Sequence, residues 1–205
     1  MNEFDTKAAL WDLNPMHLER SKAVAKQIAE RIPVNQKMKV LEYGAGTGLT
    51  SFILRNHLLE ITMMDNSREM VRKMEEKIKL TGSDNLKAVY HDLELEAYDG
   101  ETFDLIIAQM VLHHIVNTED IITRFHSLLN AGGFLAIADL KAEDGTYHKQ
   151  DFAGHKGFDT KTLSETITRV GFQDISVGDC FTINKENPAG NVKRYEVFLM
   201  IAKKT

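Results

Sequence analysis

The sequence predicts an α/β fold: a doubly wound, mostly parallel sheet of seven strands closed by a C-terminal antiparallel hairpin, with helices on both faces. Two observations carry this. Short apolar runs alternate with amphipathic helical stretches from residue 39 to residue 170, the pattern of a helix-covered parallel sheet. The last two β-rich runs, Phe172 to Ile183 and Val192 to Ala202, have only a Gly/Asn/Pro loop between them. No crossover helix fits there, so they pair antiparallel.

The elements follow in order. Asn14-Pro15 supplies an N-cap and a proline at the first helical position, and Leu18, Val24, Ala25, Ile28 and Ile32 then recur on one face until Pro33. Lys39 to Tyr43 reads as the first strand and Thr47 to His57 as a helix. Ile61 to Asp65 is the second strand, and Ser67 caps a helix running to Leu80, where Thr81-Gly82 stops it. Leu86 to Tyr90 and the strongly apolar Phe103 to Gln109 are strands three and four. A helix over about 118–129, strand five at Phe134 to Asp139 and a helix over about 160–170 complete the alternation. The expected organisation is a single domain over 1–205, with 1–33 as an N-terminal helical cap and 140–159 as a loop on the far side of the site.

Bulk properties narrow the function. A net charge of -5 argues against a protein built mainly to hold nucleic acid. No apolar run approaches the ~20 residues that span a bilayer, and the N-terminus lacks a signal-peptide pattern, so no membrane partner is expected. The single cysteine, Cys180, excludes an internal disulfide and a cysteine-based zinc cluster. The expected compartment is the cytoplasm, and the expected assembly is a monomer or homodimer.

The most informative stretch is Glu42-Tyr43-Gly44-Ala45-Gly46-Thr47-Gly48. A buried strand ends in an acidic residue, and alternating glycines then leave no Cβ between the backbone and a ligand. The following helix aims its N-terminal amides at the same place. A P-loop requires Gly-Lys-Ser/Thr, and no lysine follows Gly48. A dinucleotide fingerprint requires a third glycine where Leu49 stands.

The remaining pattern, Glu42-x-Gly44-x-Gly46-x-Gly48, resembles the nucleotide loop of class I S-adenosylmethionine-dependent methyltransferases. Supporting positions recur in order: Asp65 at the end of strand two, His91-Asp92-Leu93 after strand three, and Phe103-Asp104 through Gln109-Met110-Val111-Leu112-His113-His114-Ile115 on and after strand four. Asn130-Ala131-Gly132-Gly133 then resembles the family's turn into strand five, with Asn130-Ala131 in place of the usual Lys-Pro. The strand-four pattern is typical of the branch that methylates small molecules, including the ubiquinone- and menaquinone-biosynthesis type.

The resemblance implies a Rossmann-like methyltransferase fold with S-adenosylmethionine as cofactor and S-adenosylhomocysteine as product. It places Glu42 near the methionine amino group, and Gly44, Ala45, Gly46 and Gly48 beneath ribose and methionine. Asp65 holds the ribose, as the acidic residue does in dinucleotide enzymes. Asn66 and Met70 border the adenine with Asp92 and Leu93, Gln109 faces the sulfonium side, and Tyr43 packs or hydrogen-bonds nearby. Asp65 as a helix cap and Asp92 as a turn former are the plainer alternatives, and both stand at this stage.

On the acceptor side, His113 is a candidate base or positioning group, and Trp11 with Phe4 and Leu10 forms either a lid or an anchor for the first helix. The loop from Asp139 to Asp159 offers His148 and His155 as bases, with Asp139 or Asp151 setting the tautomer. His148, Asp151 and His155 have metal-ligand chemistry without diagnostic spacing, and no metal is expected. The partner implied is a small-molecule methyl acceptor. RNA or protein methylation, non-catalytic cofactor binding and an NAD-dependent oxidoreductase are the alternatives.

Overall fold

The computed structural model describes residues 4–148, 152–186 and 191–205. Asp151 lies outside the described residues. The seven strands β1 (Lys39–Tyr43), β2 (Glu60–Asp65), β3 (Leu86–Tyr90), β4 (Phe103–Gln109), β5 (Leu129–Leu140), β6 (Phe172–Glu186) and β7 (Val192–Lys204) form one sheet in the order β3-β2-β1-β4-β5-β7-β6. The first five are parallel; β7 runs antiparallel between β5 and β6. Strand order therefore reverses between β1 and β4, and in such sheets ligands bind beyond the carboxyl ends at that switch.

Among the described residues five α-helices flank the sheet: α1 (Pro15–Arg31), α2 (Leu49–Leu54), α3 (Arg68–Thr81), α4 (Thr118–Leu128) and α5 (Thr160–Val170). Val24 and Ile28 of α1, Leu54 of α2, and Val71 and Met74 of α3 bury against one face. Ile121 and Phe125 of α4, with Leu163 and Ile167 of α5, bury against the other. Phe125 is fully buried; truncating such a ring typically costs about 3–5 kcal/mol.

The caps follow the sequence. Asn14 accepts the Met16 amide with Pro15 at the first turn, Ser67 accepts the Met70 amide, and Gly82 ends α3 in the left-handed conformation. Three expectations need correction. Leu18 is 36% exposed and stands off the core, because the buried face of α1 starts instead at Arg20 and Ser21. The helix expected over 47–57 is α2, only six residues long, followed by a 3-10 turn at Arg55–His57. The hairpin strands run past 183 and 202, and β6 follows β7 with register shifts between Gln173 and Ser176 and between Asp179 and Phe181. No described helix is long and apolar enough to cross a membrane.

Candidate active site

A cavity of about 750 Å³ opens at the carboxyl ends of β1, β2 and β4. Its first wall is the turn after β1. Gly44 and Gly46 take φ of +64° and +58°, and a Cβ on Gly44 would lie 2.4 Å from the Val111 side chain. A side chain on Gly46 would project toward the Trp11 indole instead. Gly48 differs from the expectation: its missing Cβ makes room for Met63 Sδ, 2.6 Å away, so this glycine serves helix–sheet packing and lies off the cavity lining.

Asp65 ties this turn to β2. Its Oδ2 accepts the Gly46 amide at 2.7 Å and its Oδ1 accepts the Ser67 amide at 2.8 Å. The carboxyl is 8% exposed, and burial raises its pKa to about 6. Asn66 and Met70 line the same end of the cavity. Asp92 accepts from Asn66 Nδ2 at 3.0 Å, and Leu93 is fully buried in the core. Neither lines the cavity; the same turn reaches it through Glu94.

Glu42 also lines the cavity and is 3% exposed. Its Oε2 accepts the Ser51 amide at 3.0 Å and the Ser51 hydroxyl, and burial raises its pKa to about 7. Tyr43 lines the cavity while its ring meets Phe125 edge-on at 5.2 Å; burial pushes its phenol well above the usual range. Gln109 is pinned from two helices: Oε1 accepts from Thr50 Oγ1 at 3.0 Å and Nε2 donates to Ser21 Oγ at 2.9 Å. Met110, next along, adopts φ +53° and holds it through its amide on the Ala138 carbonyl. A left-handed non-glycine residue at a strand end is strained backbone of the kind that gathers at functional sites.

The opposite wall holds His113, His114, Tyr147, His148 and Phe152. His113 is 1% exposed, and its Nδ1 lies 2.6 Å from Asp139 Oδ1. An ionised carboxylate only accepts, so Nδ1 carries a proton, and the lone pair of the neutral ring lies on Nε2. Asp139 Oδ2 also accepts the His113 amide at 3.2 Å. Asp139 therefore orients His113 rather than His148 or His155. His155 lies away from this wall. Its Nε2 sits 2.9 Å from the Ile115 carbonyl, its ring leans on Phe158, and it does not line the cavity.

The N-terminal segment crosses the mouth. Phe4 touches Trp11 and His114 edge-on, at 6.1 and 5.1 Å between ring centres. Asp5 accepts from Ser67 Oγ at 2.6 Å, and Asp12 from Lys77 at 2.9 Å. Phe4 and Trp11 thus wall the site, whereas Leu10 is exposed and takes no part. One wall residue had no signal in the sequence. Arg20 is 5% exposed in the cavity lining; among the described residues its Nε has no hydrogen-bond partner, and its Nη1 donates to Met16 Sδ at 3.5 Å. Burial lowers its pKa, while Tyr147 and Asp139 offset the loss.

A glycine turn after the first strand, a carboxylate after the second and a cavity at the switch in strand order are the features of a Rossmann-like, class I methyltransferase fold. The chain belongs to the methyltransferase-domain family, whose model matches residues 34–187. It is 28% identical over 156 residues to an uncharacterized methyltransferase of Schizosaccharomyces pombe, covering 68% of this chain and 55% of that one. A phosphatidylethanolamine N-methyltransferase of Cereibacter sphaeroides is 30% identical over 107 residues, 52% of each protein. The chain thus spans about half the length of these two relatives. Among solved structures, the YcgJ protein of Bacillus subtilis superposes with a TM-score of 0.72 at 16% identity, covering 89% of this chain and 98% of that one. A phosphoethanolamine N-methyltransferase of Haemonchus contortus, solved with S-adenosylhomocysteine, gives 0.71 at 15% identity, covering 88% and 52%.

Proposed function

We propose that this protein transfers the methyl group of S-adenosylmethionine to an oxygen, nitrogen, sulfur or carbon nucleophile of a small organic acceptor. The observation that carries the reading is the buried His113–Asp139 pair on the same cavity as the glycine turn. The donor set fits the cofactor: a side-chain-free turn, two acidic groups at adjacent strand ends, and room in one cavity for two ligands. Gly44, Ala45 and Gly46 would lie beneath it, Asp65 would meet the ribose hydroxyls, Asn66 and Met70 the adenine, and Glu42 and Gln109 the methionine end. The cofactor supplies an electrophilic methyl on a sulfonium.

The chain supplies the rest. Phe4, Trp11 and Phe152 exclude water from the space between the two walls. Holding the acceptor in line is worth up to roughly 7–11 kcal/mol through effective molarity. Where the nucleophile carries a proton, His113 Nε2 takes it, and such a base adds ~10²–10⁴-fold. His148, on the same wall, orients the acceptor beside it. We place the protein in the cytoplasm as a monomer or homodimer, on its composition and single cysteine.

The test is incubation with methyl-labelled S-adenosylmethionine and cell extract, followed by fractionation. Label in a small metabolite supports the reading. Label confined to RNA, protein or lipid moves the acceptor to that class, and cofactor binding without label makes the chain a non-catalytic binder.

A further inference from the structure

We propose that His113, His114 and His148 form a divalent-cation site of the zinc type on the acceptor side of the cavity. The sequence separates these residues by up to 35 positions and shows no ligand spacing. The fold brings them together: one imidazole nitrogen from each lies within 4.8 Å of the others. Ring centres are 4.3 Å apart for His113 and His114, 5.0 Å for His113 and His148, and 5.5 Å for His114 and His148. A cation at the usual Zn–N distance of about 2.0–2.1 Å holds its tetrahedral ligands roughly 3.3 Å apart, so the three nitrogens draw together when the site closes.

Two features separate this cluster from a chance meeting of histidines. His113 Nδ1 is taken by Asp139, which fixes the tautomer and leaves Nε2 as the ligand atom; carboxylate–histidine–metal arrangements use this geometry to raise ligand basicity. The rings are also packed in an apolar shell, with Phe152 stacked on His148 at 3.7 Å and Phe4 edge-on to His114. Three nitrogen ligands beside an open cavity match a site that keeps its fourth position for a ligand. Imidazole donors suit zinc, cobalt and nickel rather than magnesium or calcium.

The consequence for chemistry rests on the methyl-transfer reading. A thiol or hydroxyl acceptor, X–H, binds the open position and releases its proton to solvent, since a cation lowers the pKa of a bound group. The lone pair on X then forms the X–CH3 bond, and the pair of the breaking S–CH3 bond stays on sulfur. With the cation seated, His113 acts as a ligand; in the metal-free protein its lone pair takes the proton directly.

The experiment needs no acceptor. Tag-free protein is stripped with a chelator and titrated with Co2+, read by its visible absorption, and with Zn2+ against a chromophoric competitor. One equivalent should bind with a tetrahedral cobalt spectrum. His114→Gln and His148→Asn should each weaken binding at least 100-fold, Asp139→Asn 10–100-fold, and His57→Ala should leave it unchanged. Calorimetry with S-adenosylhomocysteine on the same samples reports the fold. Binding below a fifth of an equivalent, or binding that His114→Gln and His148→Asn both leave intact, overturns the site. Loss of S-adenosylhomocysteine binding by the unaltered protein would overturn the methyltransferase reading and leave the metal result standing.

Discussion

Asp139 grips His113 twice, through the ring Nδ1 at 2.6 Å and through the backbone amide at 3.2 Å. One carboxylate at the end of β5 thereby sets both the tautomer and the position of an imidazole that follows β4. Asp139→Asn keeps the volume but can present an N–H to Nδ1, which favours the wrong tautomer. Turnover should fall about 10²-fold or more, within the range that general-base contributions span. S-adenosylhomocysteine affinity should stay within twofold by calorimetry. An equal loss in both would mean that the pair supports the fold of the cavity and not the acceptor.

Asp65 holds the glycine turn and would hold the ribose with the same carboxylate. Asp65→Ala removes charge-assisted bonds worth about 1.5–3 kcal/mol each, so S-adenosylhomocysteine should bind roughly 10- to 100-fold more weakly. Unchanged affinity would reduce Asp65 to a cap for α3.

The two halves of the site differ in how far the sequence shows them. The wall of the glycine turn is local: Glu42 through Gly46 and Asp65 through Met70 belong to short strand-to-helix turns, so residues close in sequence are also close in the cavity wall. The acceptor half is built by long-range packing. His113 and Asp139 are 26 residues apart, and nothing in their neighbourhoods says that the two strand ends meet. His148 and His155 read alike in sequence, yet a seven-residue difference puts one in the cavity and the other on the Ile115 carbonyl. Arg20 is similarly invisible, because a charged residue on an amphipathic helix reads as solvent-facing unless the helix rotation is known. Gly48 shows the converse, a motif position used for packing against Met63.

Glu42 gives a pH signature. Burial raises its pKa from 4.5 to about 7, so between these values the folded ligand-free chain holds a proton that the unfolded chain has lost. Stability therefore falls as pH rises from about 4.5 through 7, by roughly 3 kcal/mol for this group, and levels off above. Glu42→Gln cannot ionise and should lack this slope. Urea midpoints of both proteins at pH 5 and pH 8 check it: the variant should gain on the unaltered protein at the higher pH. Parallel midpoints would place Glu42 in contact with water or a cation.

Gly154 is where the loop after β5 returns to the site. A Cβ there would lie 2.3 Å from the His113 carbonyl oxygen and 2.4 Å from the Phe152 ring, and the next amide, that of His155, donates to the same carbonyl at 2.8 Å. Real Cβ atoms do not approach backbone oxygen so closely, so Gly154→Ala must push the loop away from the turn carrying His113. An error of about 1 Å in catalytic geometry can cost ~10²-fold. The glycine turn and Asp65 lie on the other wall and are untouched by the change. Gly154→Ala should therefore lower kcat about tenfold or more, while S-adenosylhomocysteine affinity stays within twofold. Gly82→Ala is the control, since its φ of +63° carries backbone strain but a Cβ there meets nothing within 4 Å. It should lose about 1 kcal/mol of stability and keep full turnover. If both variants lost turnover alike, general destabilisation and not displacement of His113 would be the cause.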